Sequence, residues 1–444
     1  WRVVPRTVLY IHGVSEASDP RTRLGRPCLA VSLGGFISTT TRKVDEMVVD
    51  IDDIETVTVI GSGQMGRGIG AVAALAGYDV YINDIEEEPL EEAREEIEWS
   101  YGKAVENDDA TEEETEGALD RLTFTTDFEE AVSGADFVTE AAVEQQSIKE
   151  DIFEDLDETA PEEAILATNT SGLNITDLAE VTDRPEQVIG THWFNPPMLM
   201  ELVEVIMTEH TPDSVADTGE AIVESFDRTP IRCRRDIPSF IVNRLMRPYG
   251  EAPAWMVYRG EYSIEEIDSA MKFKEGFPMG PFELADFTGG LQIRVEGEQD
   301  HLEDDRPMSY DTPVCPILHQ LYEKDRYGRK SGAGYYDYSD QDEPDISVDA
   351  GQGFDTLQVW APIVNEAAKM VQNDVASVED IDKGAELGGN WPVGPLEKCD
   401  EVGAEVVLKR LTEVAGRQEH TNKLAENLPC ELLVEKAKKG ETFY

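Results

Sequence analysis

His192 and Glu204 are the two ionisable residues whose surroundings call for an explanation. His192 lies in Val188-Ile-Gly-Thr-His-Trp-Phe-Asn195, an apolar run that ends in Pro196-Pro197, and Glu204 lies in Leu202-Val-Glu-Val-Ile206, a second apolar run. A carboxylate inside such a run needs a partner. A turn at Asn195-Pro-Pro would return the chain and set Glu204 against His192. A carboxylate that fixes the imidazole tautomer and offsets its charge makes histidine an effective general base near neutral pH. A purely structural His–Glu pair is the plainer reading of the same residues.

A second constellation lies upstream. Val57-Thr-Val-Ile60 leads directly into Gly61-Ser62-Gly63-Gln64-Met65-Gly66, and Asp84 stands 23 residues beyond Gly61. Gly61 permits a tight turn, Gly63 lets the backbone approach a pyrophosphate, and Gly66 lets helix and strand pack closely. The helix that follows offers unpaired N–H groups and the positive end of its dipole to phosphates. Asp84 suits the ribose hydroxyls. The residues after it, Ile85-Glu86-Glu87-Glu88, would repel a 2′-phosphate, so the spacing predicts NAD rather than NADP. A glycine-rich loop of another α/β protein is the plainer alternative.

These residues need elements to hold them. Thr56–Ile60, Asp79–Asn83, Ala135–Glu140, Ile165–Asn169, Val188–Phe194 and Leu202–Met207 read as strands, and Ile69–Ala76, Pro89–Glu106, Gln146–Thr159 and Ile175–Val181 as helices. Alternation of this kind predicts an α/β Rossmann-type doubly wound, mainly parallel sheet. After Pro238 the pattern turns helical and repeats at an offset of 114: Ser263-Ile-Glu-Glu-Ile-Asp268 returns as Ser377-Val-Glu-Asp-Ile-Asp382, and Phe277-Pro-Met-Gly-Pro-Phe-Glu283 as Trp391-Pro-Val-Gly-Pro-Leu-Glu397. The expected layout is a dinucleotide-binding domain over 47–235 and two tandem all-α copies over 236–345 and 346–444, each burying an apolar face against the other.

Charge separates the N-terminal stretch from the rest. The chain of 444 residues carries a net charge of −55, with 93 acidic residues against 38 basic ones. Residues 1–46 are net +3 and contain no Met, so Met47 reads as the natural start and 1–46 as a non-native or poorly ordered extension. Such acidity excludes nucleic acid as a partner, and no apolar run is long enough for a membrane span. Self-repulsion on this scale is screened at molar salt, where the Debye length is about 3 Å. The composition therefore points to the cytoplasm of an extreme halophile. Five scattered cysteines and six isolated histidines indicate neither a disulfide framework nor a metal site.

The motifs together resemble the 3-hydroxyacyl-CoA dehydrogenase family. The resemblance rests on Gly61-Ser-Gly-Gln-Met-Gly66, Glu140-Ala-Ala-Val-Glu144, Asn169-Thr-Ser171, His192-Trp-Phe-Asn-Pro196, Leu202-Val-Glu-Val205, Phe240-Ile-Val-Asn-Arg244 and Gly328-Arg-Lys-Ser-Gly-Ala-Gly-Tyr335, in family order over about residues 55–340. It implies NAD-dependent oxidation of (3S)-3-hydroxyacyl-CoA to 3-oxoacyl-CoA, in fatty-acid β-oxidation or butanoate metabolism. It makes His192 the base and Glu204 its orienting partner, and gives Ser171 and Asn243 to the substrate oxygens. It places Glu144, Lys149, Asn195 and Lys330 along the cofactor site. Ser100 and Lys103 are the nearest matches to the family's CoA contacts, here amid heavy acid. The plainer readings are a helix cap for Ser171 and for Asn243, and solvated surface for Lys149 and Lys330. Multifunctional members fuse this unit to an enoyl-CoA hydratase, so a longer polypeptide or a hydratase partner is in view. Members with one helical domain tend to dimerise through it. The duplication could meet that need within one chain, leaving a monomer, with a homodimer as the alternative. A dehydrogenase of non-CoA hydroxy acids and a non-catalytic structural relative are the competing functions.

Overall fold

The computed structural model describes residues 51–310, 313–417 and 428–444. The expectation for residues 1–46 lies outside them. The first half is an eight-stranded sheet in the order β3-β2-β1-β4-β5-β6-β7-β8. The strands are β1 Thr56–Ile60, β2 Asp79–Asn83, β3 Leu122–Thr125, β4 Phe137–Glu140, β5 Ile165–Thr168, β6 Val188–Trp193, β7 Leu202–Met207 and β8 Thr229–Cys233. All neighbours pair in parallel except β6 and β7, which are antiparallel. The helices between them are α1 Gln64–Ala76, α2 Glu87–Glu106, α3 Glu112–Asp120, α4 Phe128–Val132, α5 Gln146–Thr159, α6 Ile175–Glu180 and α7 Asp213–Ser225. Every residue of β4 to β7 is buried, the pattern of strands covered on both faces.

The sheet is doubly wound as the sequence predicts, with some corrections. α1 begins at Gln64, five residues before Ile69, because the glycine motif itself forms its first turns. β4 begins at Phe137 rather than Ala135. β3 and β8 were absent from the sequence reading. The strand order reverses between β1 and β4, and in such sheets the crevice beyond the strands' carboxyl ends at that reversal binds ligands.

The second half is helical: α8 Val242–Tyr258, α9 Ile264–Phe273, α10 Pro281–Thr288, α11 Gly290–Glu296, α12 Glu298–Glu303, α13 Pro316–Tyr322, α14 Leu357–Gln372, α15 Val378–Lys383, α16 Pro395–Val402, α17 Ala404–Ala415 and α18 Glu431–Lys439. The 114-residue offset reappears as equivalent contacts. Asp268 accepts from the Phe282 and Glu283 amides and from the Tyr336 hydroxyl; Asp382 accepts from the Leu396 and Glu397 amides and from the Tyr444 hydroxyl. Asp286 takes the Tyr335 and Tyr336 amides, and Asp400 those of Phe443 and Tyr444. α8 and α14 pack side by side and share an internal proline, Pro248 and Pro362. Phe277, Trp360 and Trp391 meet where the two copies join, Trp391 in T-shaped contact with both other rings and Phe277 tilted against Trp360.

Candidate active site

The glycine motif forms a cradle open to a ligand. Gly61 has φ +98°, and a Cβ there would lie 2.7 Å from the Ala141 carbonyl oxygen. A Cβ on Gly66 would lie 1.9 Å from the Gly61 oxygen, so only glycine lets α1 come this close to β1. A Cβ on Gly63 would meet nothing within 4 Å. Gly63 therefore clears space above the N-terminus of α1, which no side chain caps. Buried Ser62 donates from its amide (2.8 Å) and hydroxyl (2.6 Å) to one oxygen of Asp84. The other oxygen has no polar partner among the described residues. An uncapped helix N-terminus, a cleared glycine and a half-satisfied carboxylate at the end of β2 fit a dinucleotide's pyrophosphate and ribose.

The His192–Glu204 pair comes from the one antiparallel contact in the sheet. His192 and Glu204 are direct cross-strand partners, and the turn at Asn195-Pro-Pro, with a cis Asn195–Pro196 bond, makes the return. His192 Nδ1 lies 2.5 Å from one Glu204 carboxylate oxygen. The other oxygen accepts the Ile241 (3.0 Å) and Val242 (2.8 Å) amides at the start of α8. The positive end of that helix thus faces a carboxylate with no exposed surface. The Cys233 thiol nearby is pushed well above its ordinary pKa, first by burial and then by the Glu204 charge. Nδ1 is committed to Glu204, which leaves Nε2 as the proton acceptor.

Around this pair the backbone is tied down. The Asn169 side chain accepts the Trp193 amide at 2.9 Å. Half-buried Arg228 donates to the Pro197 carbonyl, and partial burial lowers its pKa. A Cβ on Gly68 would lie 2.9 Å from the Pro197 ring, so the loop after His192 rests directly on the dinucleotide helix.

Glu144 accepts the Thr170 hydroxyl (2.6 Å) and the Ser171 amide (2.9 Å), and stands 3.5 Å from Lys149 Nζ. The Ser171 side chain is exposed and without a polar partner among the described residues; the cap of α6 is Asn174, not Ser171. Asn243 sits inside the first turn of α8, whose N-cap is Ile241, so it is not the cap either, and its amide has no polar partner among the described residues. Lys149 is 1% exposed and holds both oxygens of buried Glu140 at 2.7 and 2.8 Å, which rules out a solvated-surface role.

Asn195 is exposed on the loop beside His192. Three residues stand apart from the cluster. Lys330 is exposed on a short turn packed against α10, with no polar contact to the others. Ser100 and Lys103 lie on α2, where Lys103 pairs with Glu106 at 2.5 Å. Sequence reasoning missed Glu140, the anchor of Lys149; its signal was a carboxylate closing a strand with a lysine nine residues on. It also missed Arg306, which reaches the Gly172 and Leu173 carbonyls and Asp236, tying the Ser171 loop to the helical half. Nothing local in the sequence marks that long-range contact. Among the described residues no group of three metal-ligating side chains occurs.

Comparison with known proteins agrees with this geometry. Residues 56–237 match the sequence model of the 3-hydroxyacyl-CoA dehydrogenase NAD-binding domain. The C-terminal domain model of the same family matches twice, over 240–338 and 353–444. The pig mitochondrial hydroxyacyl-coenzyme A dehydrogenase is 37% identical over 64% of this chain and 91% of its own. The 3-hydroxyadipyl-CoA dehydrogenase of Escherichia coli is 30% identical over 87% of this chain and 98% of its own. A crystal structure of an Escherichia coli 3-hydroxybutyryl-CoA dehydrogenase superposes with a TM-score of 0.78 at 28% identity, covering 87% of this chain and 99% of that one. Sequence, fold and site agree, and the chain belongs to the 3-hydroxyacyl-CoA dehydrogenase family.

Proposed function

We propose that this protein oxidises (3S)-3-hydroxyacyl-CoA to 3-oxoacyl-CoA with NAD. The observation that carries the reading is the buried His192–Glu204 pair, locked across two strands and against the start of α8. Nδ1 donates to Glu204, so Nε2 is free to take the proton of the substrate's 3-hydroxyl. Glu204 balances the imidazolium that results. The unpartnered Ser171 hydroxyl and Asn243 amide hold the oxygens of the substrate, where donors stabilise developing charge. Gly61 to Gly66 and Asp84 hold the dinucleotide, with Glu144, Lys149, Asn195 and Lys330 as its further contacts. NAD, when bound, supplies the acceptor for the hydrogen that leaves C3 with its electron pair. Ser100 and Lys103 are assigned to the CoA moiety.

The proposed domains are 47–235, 236–345 and 346–444. The packing of α14 on α8 supports a monomer, in which the second copy stands in for a partner subunit. No helix among the described residues is long and apolar enough to cross a membrane. The charge of −55 supports a cytoplasm rich in salt.

The test is NADH oxidation with acetoacetyl-CoA, in about 2 M KCl and in dilute buffer. His192→Gln is expected to retain NADH binding and to lose about 10²- to 10⁴-fold in turnover. Unchanged turnover would sink the assignment. Turnover of the free hydroxy acid but not of the CoA ester would move it to a different substrate class.

A further inference from the structure

Arg244 follows Asn243 in the first turn of α8, and it is buried. Its Nε donates to Glu366 on α14 at 2.6 Å, Nη1 to the Pro238 carbonyl at 3.2 Å and Nη2 to the Met308 carbonyl at 2.8 Å. Its guanidinium lies over the Tyr310 ring. Glu366 belongs to the second helical copy, and its other oxygen accepts Lys369 Nζ at 3.1 Å. Burial pushes the Glu366 carboxyl up, but Lys369 and Arg244 together bring it down to about 2, so the pair is ionised.

The backbone that Arg244 holds is strained. Ser239 (φ +67°) and Phe240 (φ +49°) enter α8 in the left-handed region, which residues with a side chain rarely adopt. Such conformations persist only where the surroundings over-determine them. The Pro238 carbonyl bound by Arg244 opens this turn, and the Arg244 amide donates to the Ser239 carbonyl at 3.1 Å. The turn carries the Phe240 ring, 5.7 Å from that of His192, and leads into the Ile241 and Val242 amides that hold Glu204. Asn243 is the next residue along.

The second copy serves as an internal control. Two equal copies facing one another make each contact twice, residue i on j and j on i. At the offset of 114, the counterpart of Arg244 is Gln358 and that of Glu366 is Ala252. All four are buried. Gln358 bonds instead to Tyr262 and Arg417. The ion pair thus stands on the side where α8 carries the site asparagine, and its mirror position, beside Leu357, holds a glutamine and an alanine. A buried ion pair adds little stability over apolar residues of the same volume. Its presence on one side calls for a role other than stability.

We propose that Glu366 is a positioning residue for the reaction: from the second helical copy it holds Arg244, and through Arg244 the turn that sets Asn243 against the substrate. This rests on the dehydrogenase reading above. The second copy thereby takes part in the site of the first without touching substrate.

The experiment measures kcat and KM for acetoacetyl-CoA with NADH in molar KCl, together with NADH affinity by fluorescence. Glu366→Gln keeps the shape and removes the charge. It is expected to lower kcat by about tenfold to a hundredfold, the scale of a misplacement of about 1 Å, with NADH affinity unchanged. Gln358→Ala, at the mirror position and also buried, should lower Tm and leave kcat in place. Asn243→Ala completes a double-mutant cycle: in that background Glu366→Gln should cost at least about threefold less than in the wild type, because residues that act through one another are not additive. If Glu366→Gln does not fold, Glu366→Asp, which keeps the charge and withdraws the oxygens, enters the same cycle and decides by the same criteria. A kcat within about twofold of the wild type, an equal loss of kcat in Gln358→Ala, or additive losses in the cycle overturns the positioning role and leaves the dehydrogenase standing. A wild-type enzyme that does not reduce acetoacetyl-CoA overturns the dehydrogenase reading, and this inference with it.

Discussion

Glu204 uses two oxygens for three bonds, and each bond specifies something different. One oxygen fixes the His192 tautomer; the other accepts the two amides that begin α8. Glu204→Gln keeps the shape but has one acceptor oxygen where two are needed. If that oxygen stays on the amides, the side-chain NH₂ faces Nδ1 and forces the proton onto Nε2, the atom that must accept. We expect kcat/KM to fall by about 10²- to 10⁴-fold with NADH affinity preserved. Stopped-flow turnover alongside NADH fluorescence checks this, and a loss under tenfold would remove Glu204 from the mechanism. The pair was legible in the sequence because a carboxylate and an imidazole each interrupt an apolar run. Lys149 was legible only through family resemblance. Its partner Glu140 closes a strand like many other acids of this chain, and burial, which sets the two apart, is a tertiary fact.

At the scale of elements, the two ends of the glycine motif make opposite demands. Gly66 is held by backbone: a methyl group there would collide with the Gly61 carbonyl at 1.9 Å. Gly63 is held by nothing in the protein itself. Gly66→Ala is therefore expected to lower Tm sharply, whereas Gly63→Ala should leave Tm in place and weaken NADH binding. Differential scanning fluorimetry with and without NADH separates the two, and equal losses of Tm would contradict the assignment of Gly63 to the ligand. The interior strands were readable from their β-branched runs. The two missed strands are the two edges of the sheet, β3 and β8. Edge strands bury less and tolerate proline, and Leu-Thr-Phe-Thr and Thr-Pro-Ile-Arg-Cys carry too little apolar periodicity to stand out.

At the scale of the molecule, the duplicated half places carboxyl groups in its interior at matching points. Burial pushes the Asp268 carboxyl up to about 7 and that of Asp382 to about 6, despite the amides and tyrosine hydroxyls that hold them. A carboxyl with a folded pKa above its unfolded value keeps its proton longer in the folded state. Its stabilisation is complete below the unfolded value and is lost as pH rises through the folded one. Stability is thus expected to fall between about pH 4 and 7, by up to about 1.4 kcal/mol per pH unit for each group. Asp268→Asn should lower Tm overall yet flatten that slope. Urea titrations across the window decide it, and parallel slopes in variant and wild type would refute the contribution of Asp268. The repeat itself was plain from its offset, but the shared hydrogen bonding of Asp268 and Asp382 was not, since both read as ordinary acids in an acidic chain.

The pairing of α8 with α14 also bears on how the protein can change over generations. When two identical subunits meet, every substitution at the contact is made twice, and any benefit to one side is imposed on the other. Here the two sides are separate stretches of one gene. A substitution in either is inherited singly, so one half can keep Asn243, Met246 and Gly250 while the other carries Leu357, Trp360 and Val364 at the same offsets. Because the two faces of the α8–α14 contact are encoded separately, each is heritable on its own.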